Sequence, residues 1–334
     1  MASSSSPNGT PNPQAVALAP SVWRQNLLKA ALSVIVLAVL FWKLNARDVW
    51  AQLEQAALIP LLVAAGLLLA QTALMAWRWQ HLGRRIAHLT AANYPDLISH
   101  WRILMASLWF SLALPSSLGG DAVRVLMLVQ RGIRLSLATR SVVLDRISAL
   151  AAVVVMILFC IPGLAAVAKS QALTNSLAGL TGLGVVGLAV LLILDRLVVR
   201  WRGNRLIDFA AELSINARAI FRMPEIAGAA IVIHTMTALS FYAVAVSTGL
   251  GIGPIPVLLI IPPVIFLSAL PISISGWGVR EGSLIIGLGL FGIDPTAALA
   301  ASILFGLCSS AVGLAGGIVW LAARKVDKPV GYDN

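Results

Sequence analysis

Two arginines stand at matching places in an otherwise apolar chain. Arg124 closes the stretch ALPSSLGGDAVR, residues 113–124, and Arg280 closes ALPISISGWGVR, residues 269–280. Laid over each other without a gap, the stretches share A-L-P-x-S-x-x-G-x-x-V-R at an offset of 156 residues, and Phe110 and Phe266 extend the match. Arginine offers a planar fork of donors that fits phosphate or carboxylate. At membrane depth it costs about 2.5–3.5 kcal/mol on insertion scales, so two at equivalent points call for a reason. They could bind one anion, such as a lipid phosphate. Or they could lock the chain, Arg124 pairing with Asp121 and Arg280 with Glu281 or another acid.

The neighbouring residues break helices. Pro115, Gly119 and Gly120 in the first stretch, and Pro271, Gly276 and Gly278 in the second, end one half-helix and let another begin. A restarting helix turns its free N–H groups and positive dipole end toward the break, a natural seat for an anion. Each arginine is expected in the first turn after its break. Asp121 is placed to cap the restarted helix or to act as a counter-charge. Glu281 follows Arg280 directly, so the two side chains should diverge around the helix; Glu281 reads as a coupling carboxylate or as an ion-pair partner. Asp145 and Arg146, just inside a following helix, either join this site or do not. Asp195 and Arg196 read as an interfacial pair, and His234 as a packed histidine. Trp77, Trp79 and Trp101 read as an aromatic belt beside a basic loop, Gly313 and Gly317 as a helix contact, and the basic segment 200–223 as lying along anionic head groups.

These residues need elements to position them. The 334-residue chain is 59% hydrophobic and only 11% charged, with a mean hydropathy of +0.91; a soluble domain carries about 25% charged residues. It therefore reads as an all-α integral membrane protein. Apolar runs long enough to span lie at about 27–44, 57–76, 141–161, 177–199, 226–249 and 297–322. Regions 101–131 and 255–292 are apolar but interrupted by the repeated motif, each splitting into two short pieces. The net charge of +11 sits in short loops rather than on a nucleic-acid face. Arginines concentrate in 77–102, 131–140 and 196–225, and the basic C-terminus joins them, which places both ends in the cytoplasm by the positive-inside rule. Segment 101–131 then enters and leaves on the cytoplasmic side and 255–292 on the outer side. The expected architecture is six spanning helices plus two opposed re-entrant hairpins in an inverted-topology repeat. The expected divisions are a disordered tail 1–22, one membrane domain 23–322 with pseudo-repeats 23–165 and 175–322, and a cytoplasmic tail 323–334.

Cys160 and Cys308 form no disulfide framework or metal spacing. No phosphate loop, H-E-x-x-H or G-x-S-x-G motif occurs. No cofactor, metal or nucleic acid is therefore expected; the expected partners are membrane lipids.

The stretches LPSSLGGDAVRVLML, RSVVLDRIS and LPISISGWGVREGSLI resemble the membrane portion of lysylphosphatidylglycerol synthases. They also resemble the stand-alone flippase-like proteins of that family, hopanoid-associated membrane proteins among them. The resemblance runs from about residue 25 to 322 and falls on Gly119, Gly120, Asp121, Arg124, Asp145, Arg146, Gly276, Gly278, Arg280 and Glu281. It implies movement of an anionic, aminoacylated or isoprenoid-type lipid across a bacterial inner membrane. It implies no enzymatic activity for this chain, which ends at Asn334 without the family's catalytic domain. Two alternatives stand beside it: an accessory scaffold for a lipid- or envelope-modifying enzyme, and a membrane-embedded transferase.

Overall fold

The computed structural model describes residues 38–39, 44, 46–87, 94–113, 119–167, 171–201, 203–270 and 276–326. The tail 1–22, most of the first expected span, Pro115, Pro271 and the end of the C-terminal tail lie outside them. Among the described residues the chain is helical throughout. The helices are α1 (Ala46–Glu54), α2 (Leu58–Ala87), α3 (Leu97–Ala113), α4 (Gly119–Val129), α5 (Leu135–Val167), α6 (Gln171–Leu197), α7 (Arg205–Ile220), α8 (Pro224–Ser247), α9 (Pro254–Ala269), α10 (Val279–Gly289) and α11 (Pro295–Val326). Five are long and apolar enough to cross a membrane: α2, α5, α6, α8 and α11. They answer five of the six expected spans, and α2 and α5 extend well beyond the apolar runs that announced them.

The two interrupted regions each form a long and a short helix. Helices α3 and α4 have 17 and 11 residues, and α9 and α10 have 16 and 11. Both short helices end in the same turn. Gly132 (φ 83°) and Gly292 (φ 77°) take the left-handed conformation that glycine tolerates best. Ile133 N–H then reaches Leu128 O and Ile293 N–H reaches Leu288 O, while each glycine N–H bonds the carbonyl three residues back. This is the Schellman arrangement, which satisfies the last free carbonyls of a helix.

Helices α2 and α8 form the centre and run antiparallel. Ala57 N–H donates to Ser247 O at one end. Ser240 Oγ donates to Ala64 O, and Thr237 Oγ1 donates to Gln71 Oε1, further along. His81 meets Glu225 at the other end. The His81 end, where Arg84 and Arg85 close α2, is the basic face. Helix α3 starts and α4 ends toward that face: Tyr94, Ile133 and Trp79 share one apolar cluster there. Helix α9 starts and α10 ends toward the opposite face, where Leu53, Ala56, Phe291 and Ile293 pack on one core. Packing partners cross over: α3 packs on α11, and α9 packs on α5. Gly313, Gly316 and Gly317 make the first contact close, since a Cβ on Gly316 would come within 2.2 Å of the Met105 carbonyl oxygen. The expected glycine contact is therefore present, with Gly316 added to it.

Candidate functional site

The first arginine lies in a chain of alternating charges. Arg124 is 2% exposed. Its Nη2 donates to Asp145 Oδ2 at 2.8 Å, and Nη1 lies 3.5 Å from Asp121 Oδ1. Asp145 Oδ1 takes Arg78 Nε at 3.0 Å. Asp121 in turn accepts from Arg146, whose Nε and Nη2 each lie 2.9 Å from a carboxylate oxygen. Helices α2, α4 and α5 thus meet through three arginines and two aspartates, an excess of one positive charge. The Arg124 guanidinium also stacks over the Trp79 ring, 4.0 Å from its centroid. Its Nε is buried without a hydrogen-bond partner among the described residues.

An aromatic shell holds this node from the basic face. Trp79 Nε1 donates to Ser141 Oγ at 3.2 Å, His100 meets Trp79 edge-on at 4.7 Å, and Tyr94 stacks on His100. Burial pushes the Tyr94 phenol up to about 12, so it stays neutral beside the arginines.

The second arginine is closed differently. Arg280 Nε and Nη2 donate to Glu281 Oε1 at 3.0 and 2.6 Å. Glu281 is fully buried. Its Oε2 accepts Gly278 N–H at 2.5 Å, and its Oε1 accepts Ser302 Oγ at 3.3 Å. Trp277 lies under the Arg280 guanidinium at 4.6 Å. Gly306 on α11 leaves room for it, since a Cβ there would come within 2.5 Å of Nη2. The node is one arginine and one glutamate, with no excess charge.

Several expectations change. Arg280 is in the first turn of α10, but Arg124 is the sixth residue of α4 and so lies in the second turn. Gly119 and Gly120 lie inside α4 rather than before it. Arg280 and Glu281 do not diverge. Gly278 (φ 86°) folds the chain so that the carboxylate reaches back to the helix start and meets the arginine there. The two arginines do not share a site. Arg124 is level with Trp79. Arg280 packs near Phe305, which faces Phe241, beside the Ser240 contact to Ala64. Fifteen residues of α2 separate those levels, about 22 Å at 1.5 Å per residue. Asp145 and Arg146 do join the first node.

Arg78 and Trp79 escaped the sequence reading. Their place beyond the apolar run predicts a basic loop and an interfacial belt, yet both are buried at the centre of the first node. Trp101 is also packed inward, donating to Thr72 Oγ1, and Trp77 stacks on His81. The alternation Trp77–Arg78–Trp79 directly after an apolar run was the available signal. Asp195 pairs with Arg218, Nη2 to Oδ2 at 2.7 Å, and with Ser214, tying α7 to α6 instead of pairing with Arg196. His234 Nε2–H donates to Ala149 O, 3.0 Å away, as a packed histidine does.

The family model described as lysylphosphatidylglycerol synthase TM region matches residues 26–317. No curated protein matches the chain.

Proposed function

The chain belongs to the lysylphosphatidylglycerol synthase TM region family, and from that premise we propose that this multi-pass membrane protein is a non-enzymatic, flippase-like handler of an anionic or aminoacylated lipid in a bacterial inner membrane, with both ends cytoplasmic. Its two broken helix pairs are re-entrant hairpins from opposite faces, related by an inverted repeat. The antiparallel α2 and α8, the exchanged partners of α3 and α9, and the matching turns at Gly132 and Gly292 support that reading. The observation that carries the function is the surplus positive charge of the node formed by Arg78, Arg124 and Arg146. Three arginines face two aspartates inside an apolar bundle, and one buried guanidinium N–H is left over. An anionic head group supplies the missing charge and acceptor. The separate Arg280 node then serves as a second station nearer the other face.

Reconstitution into vesicles with a leaflet-reporter phosphatidylglycerol tests this. Wild type should speed exchange between leaflets. Arg124→Gln and Arg280→Gln should each lower that rate, and because the two nodes lie about 22 Å apart without a shared partner, their effects should add in the double variant. Folded variants that move lipid at the wild-type rate make the arginines structural locks. Absence of wild-type exchange, with function in cells retained by both variants, favours the scaffold alternative. Cysteine labelling from outside should reach position 254 but not 84, 134 or 205; labelling at 134 removes the inverted topology.

A further inference from the structure

Two clefts lie side by side along α5. The first, of about 440 Å³, lies between α4 and α5 and is lined by Asp121, Val125, Val143 and Arg146. The second, of about 490 Å³, lies between α5, α6 and α9 and is lined by Val154, Gly184, Gly187, Phe266 and Leu270. Ile147 and Leu150 line both. Between them the two clefts reach from Asp121, beside the first break, to Leu270, the last described residue before the second.

Their chemistry is uneven along that length. Most of the wall is aliphatic or aromatic. The polar exceptions are Thr139 and the Asp121–Arg146 pair at the α4 end. Arg146 lies within a spanning helix, yet its side chain is 62% exposed, and Asp121 neutralises it only in part because Arg124 shares that carboxylate. An exposed cation at the end of an apolar trough, inside a membrane-spanning segment, is matched by a molecule with an anionic head and a hydrocarbon tail. The α6 wall supports the tail. Leu183, Gly184, Gly187, Leu188 and Leu191 follow the spacing of one helix face; Gly184 brings α6 close to α5, since a Cβ there would come within 2.9 Å of Val154 Cγ2, and Gly187 leaves the wall open. A Cβ added at Gly187 would meet nothing within 4 Å.

We propose that the two clefts together seat one phospholipid, its phosphate on Arg146 and one acyl chain lying along α5 past Gly187 toward Leu270. The proposal rests on the lipid-handling reading and adds the surface, the polarity of the bound lipid, and a route that joins the two breaks. Lipid that merely coats an apolar face needs neither the phosphate nor Gly187; this site needs both.

Photo-crosslinking in nanodiscs tests it, with phosphatidylglycerol bearing a diazirine on one acyl chain. The comparison probe is the matching diacylglycerol, which lacks the phosphate, and excess inorganic phosphate serves as competitor. Wild type should crosslink within 147–154 and 183–191. Gly187→Phe fills the second cleft and should lower that labelling about tenfold; Gly187→Leu does the same with a smaller side chain if the phenylalanine variant is poorly folded. Gly182→Phe projects into open space outside both clefts and should leave labelling unchanged. Arg146→Gln should bring phosphatidylglycerol labelling down to the diacylglycerol level. Inorganic phosphate should not compete, because the chain holds the lipid; competition would assign the cation to free phosphate and overturn the lipid seat. Labelling spread evenly over all exposed helices, or unmoved by both Gly187 variants, also overturns it. The transport reading fails separately: cleft labelling intact with no leaflet exchange leaves the seat standing without transport, and exchange unaffected by Gly187→Phe leaves transport without the seat.

Discussion

The two broken helix pairs carry one sequence motif and close it in two ways. In sequence they align at an offset of 156, which pairs Arg124 with Arg280. In structure the helices after the breaks align at 160: α4 and α10 start at 119 and 279, their terminal glycines are 132 and 292, and α5 and α11 start at 135 and 295. The four-residue slip is about one helical turn. It keeps both arginines on the same helix face, one turn apart, and it brings Asp121 and Glu281 to the same third position. Opposite them, Arg146 on α5 corresponds to Gly306 on α11. In the first pair the acid is met across the helix gap by Arg146. In the second a glycine stands there, and Arg280 folds into the space. The motif thus specifies a break and a cation, and the packing of the next helix decides which acid neutralises it. The first node ties three helices together with a surplus charge; the second is closed almost within α10.

The largest expected difference follows from that asymmetry. Asp145→Asn strips the shared acid from two buried arginines, Arg78 and Arg124, and should cost about 3–5 kcal/mol, as for other buried pairs left uncompensated. Glu281→Gln leaves one arginine whose side chain is 13% exposed, and it retains an amide oxygen for Gly278 N–H. Its cost should be about 1–3 kcal/mol. Thermal melts of detergent-purified protein measure both. Equal losses, or a larger loss at Glu281, would show that the second node holds more of the bundle together than its contacts suggest.

The glycines at the matching positions 120 and 276 sharpen the comparison, because they are needed for different reasons. Gly120 lies inside α4, where a Cβ would come within 2.7 Å of Ser107 O and 2.1 Å of Ser111 Oγ. Gly276 has φ 80°, and its nearest neighbour for a Cβ is Ser268 at 3.1 Å. Gly120→Ala should therefore cost about 1–3 kcal/mol through crowding against α3 backbone, and Gly120→Asn more. Gly276→Ala should cost about 1–2 kcal/mol through its left-handed backbone, and Gly276→Asn less than Gly276→Ala, since asparagine tolerates that region. The alanine-to-asparagine order should reverse between the sites in melting temperature. The same order at both would mean that one mechanism governs both breaks.

Much of this architecture was legible because it is written in local patterns. Apolar runs located five of the described spans, and the shared motif located both breaks and both arginines. What escaped depends on distant partners. Arg78 ended the expected span at residue 76 because a charge there reads as a loop; α2 continues because Asp145, 67 residues away, receives it. Trp79 read as interfacial until Arg124 and Ser141 packed around it. Arg280 and Glu281 were expected to diverge on an ideal helix, and the positive φ of Gly278 bent that first turn. The slip from 156 to 160 was also hidden, since it comes from the length of the second break and leaves the motif identities untouched.

The smallest expected difference lies where the longer helix of each broken pair begins. Asp96 caps α3, its Oδ1 accepting Ser99 N–H at 2.9 Å. Gly253 precedes α9 with no side-chain cap. The reason is the next three residues: Pro254 and Pro256 carry no N–H, so the first turn of α9 presents fewer free donors than that of α3. Asp96→Ala should cost about 0.5–1 kcal/mol, whereas Gly253→Asp, which adds a cap with few donors to receive, should gain no more than a few tenths, about 0.3 kcal/mol. Hydrogen bonds from the Ser99 hydroxyl and N–H hold the Asp96 carboxyl below its usual range. A carboxylate whose folded pKa is depressed contributes fully above its unfolded value, about 3.9, and loses that contribution as pH falls through the folded value. The melting difference between wild type and Asp96→Ala should be constant from pH 8 to about pH 5 and shrink below about pH 4. A difference that persists unchanged into acid would assign the Asp96 contribution to backbone geometry rather than to its charge, and the two helix starts would then differ in their prolines alone.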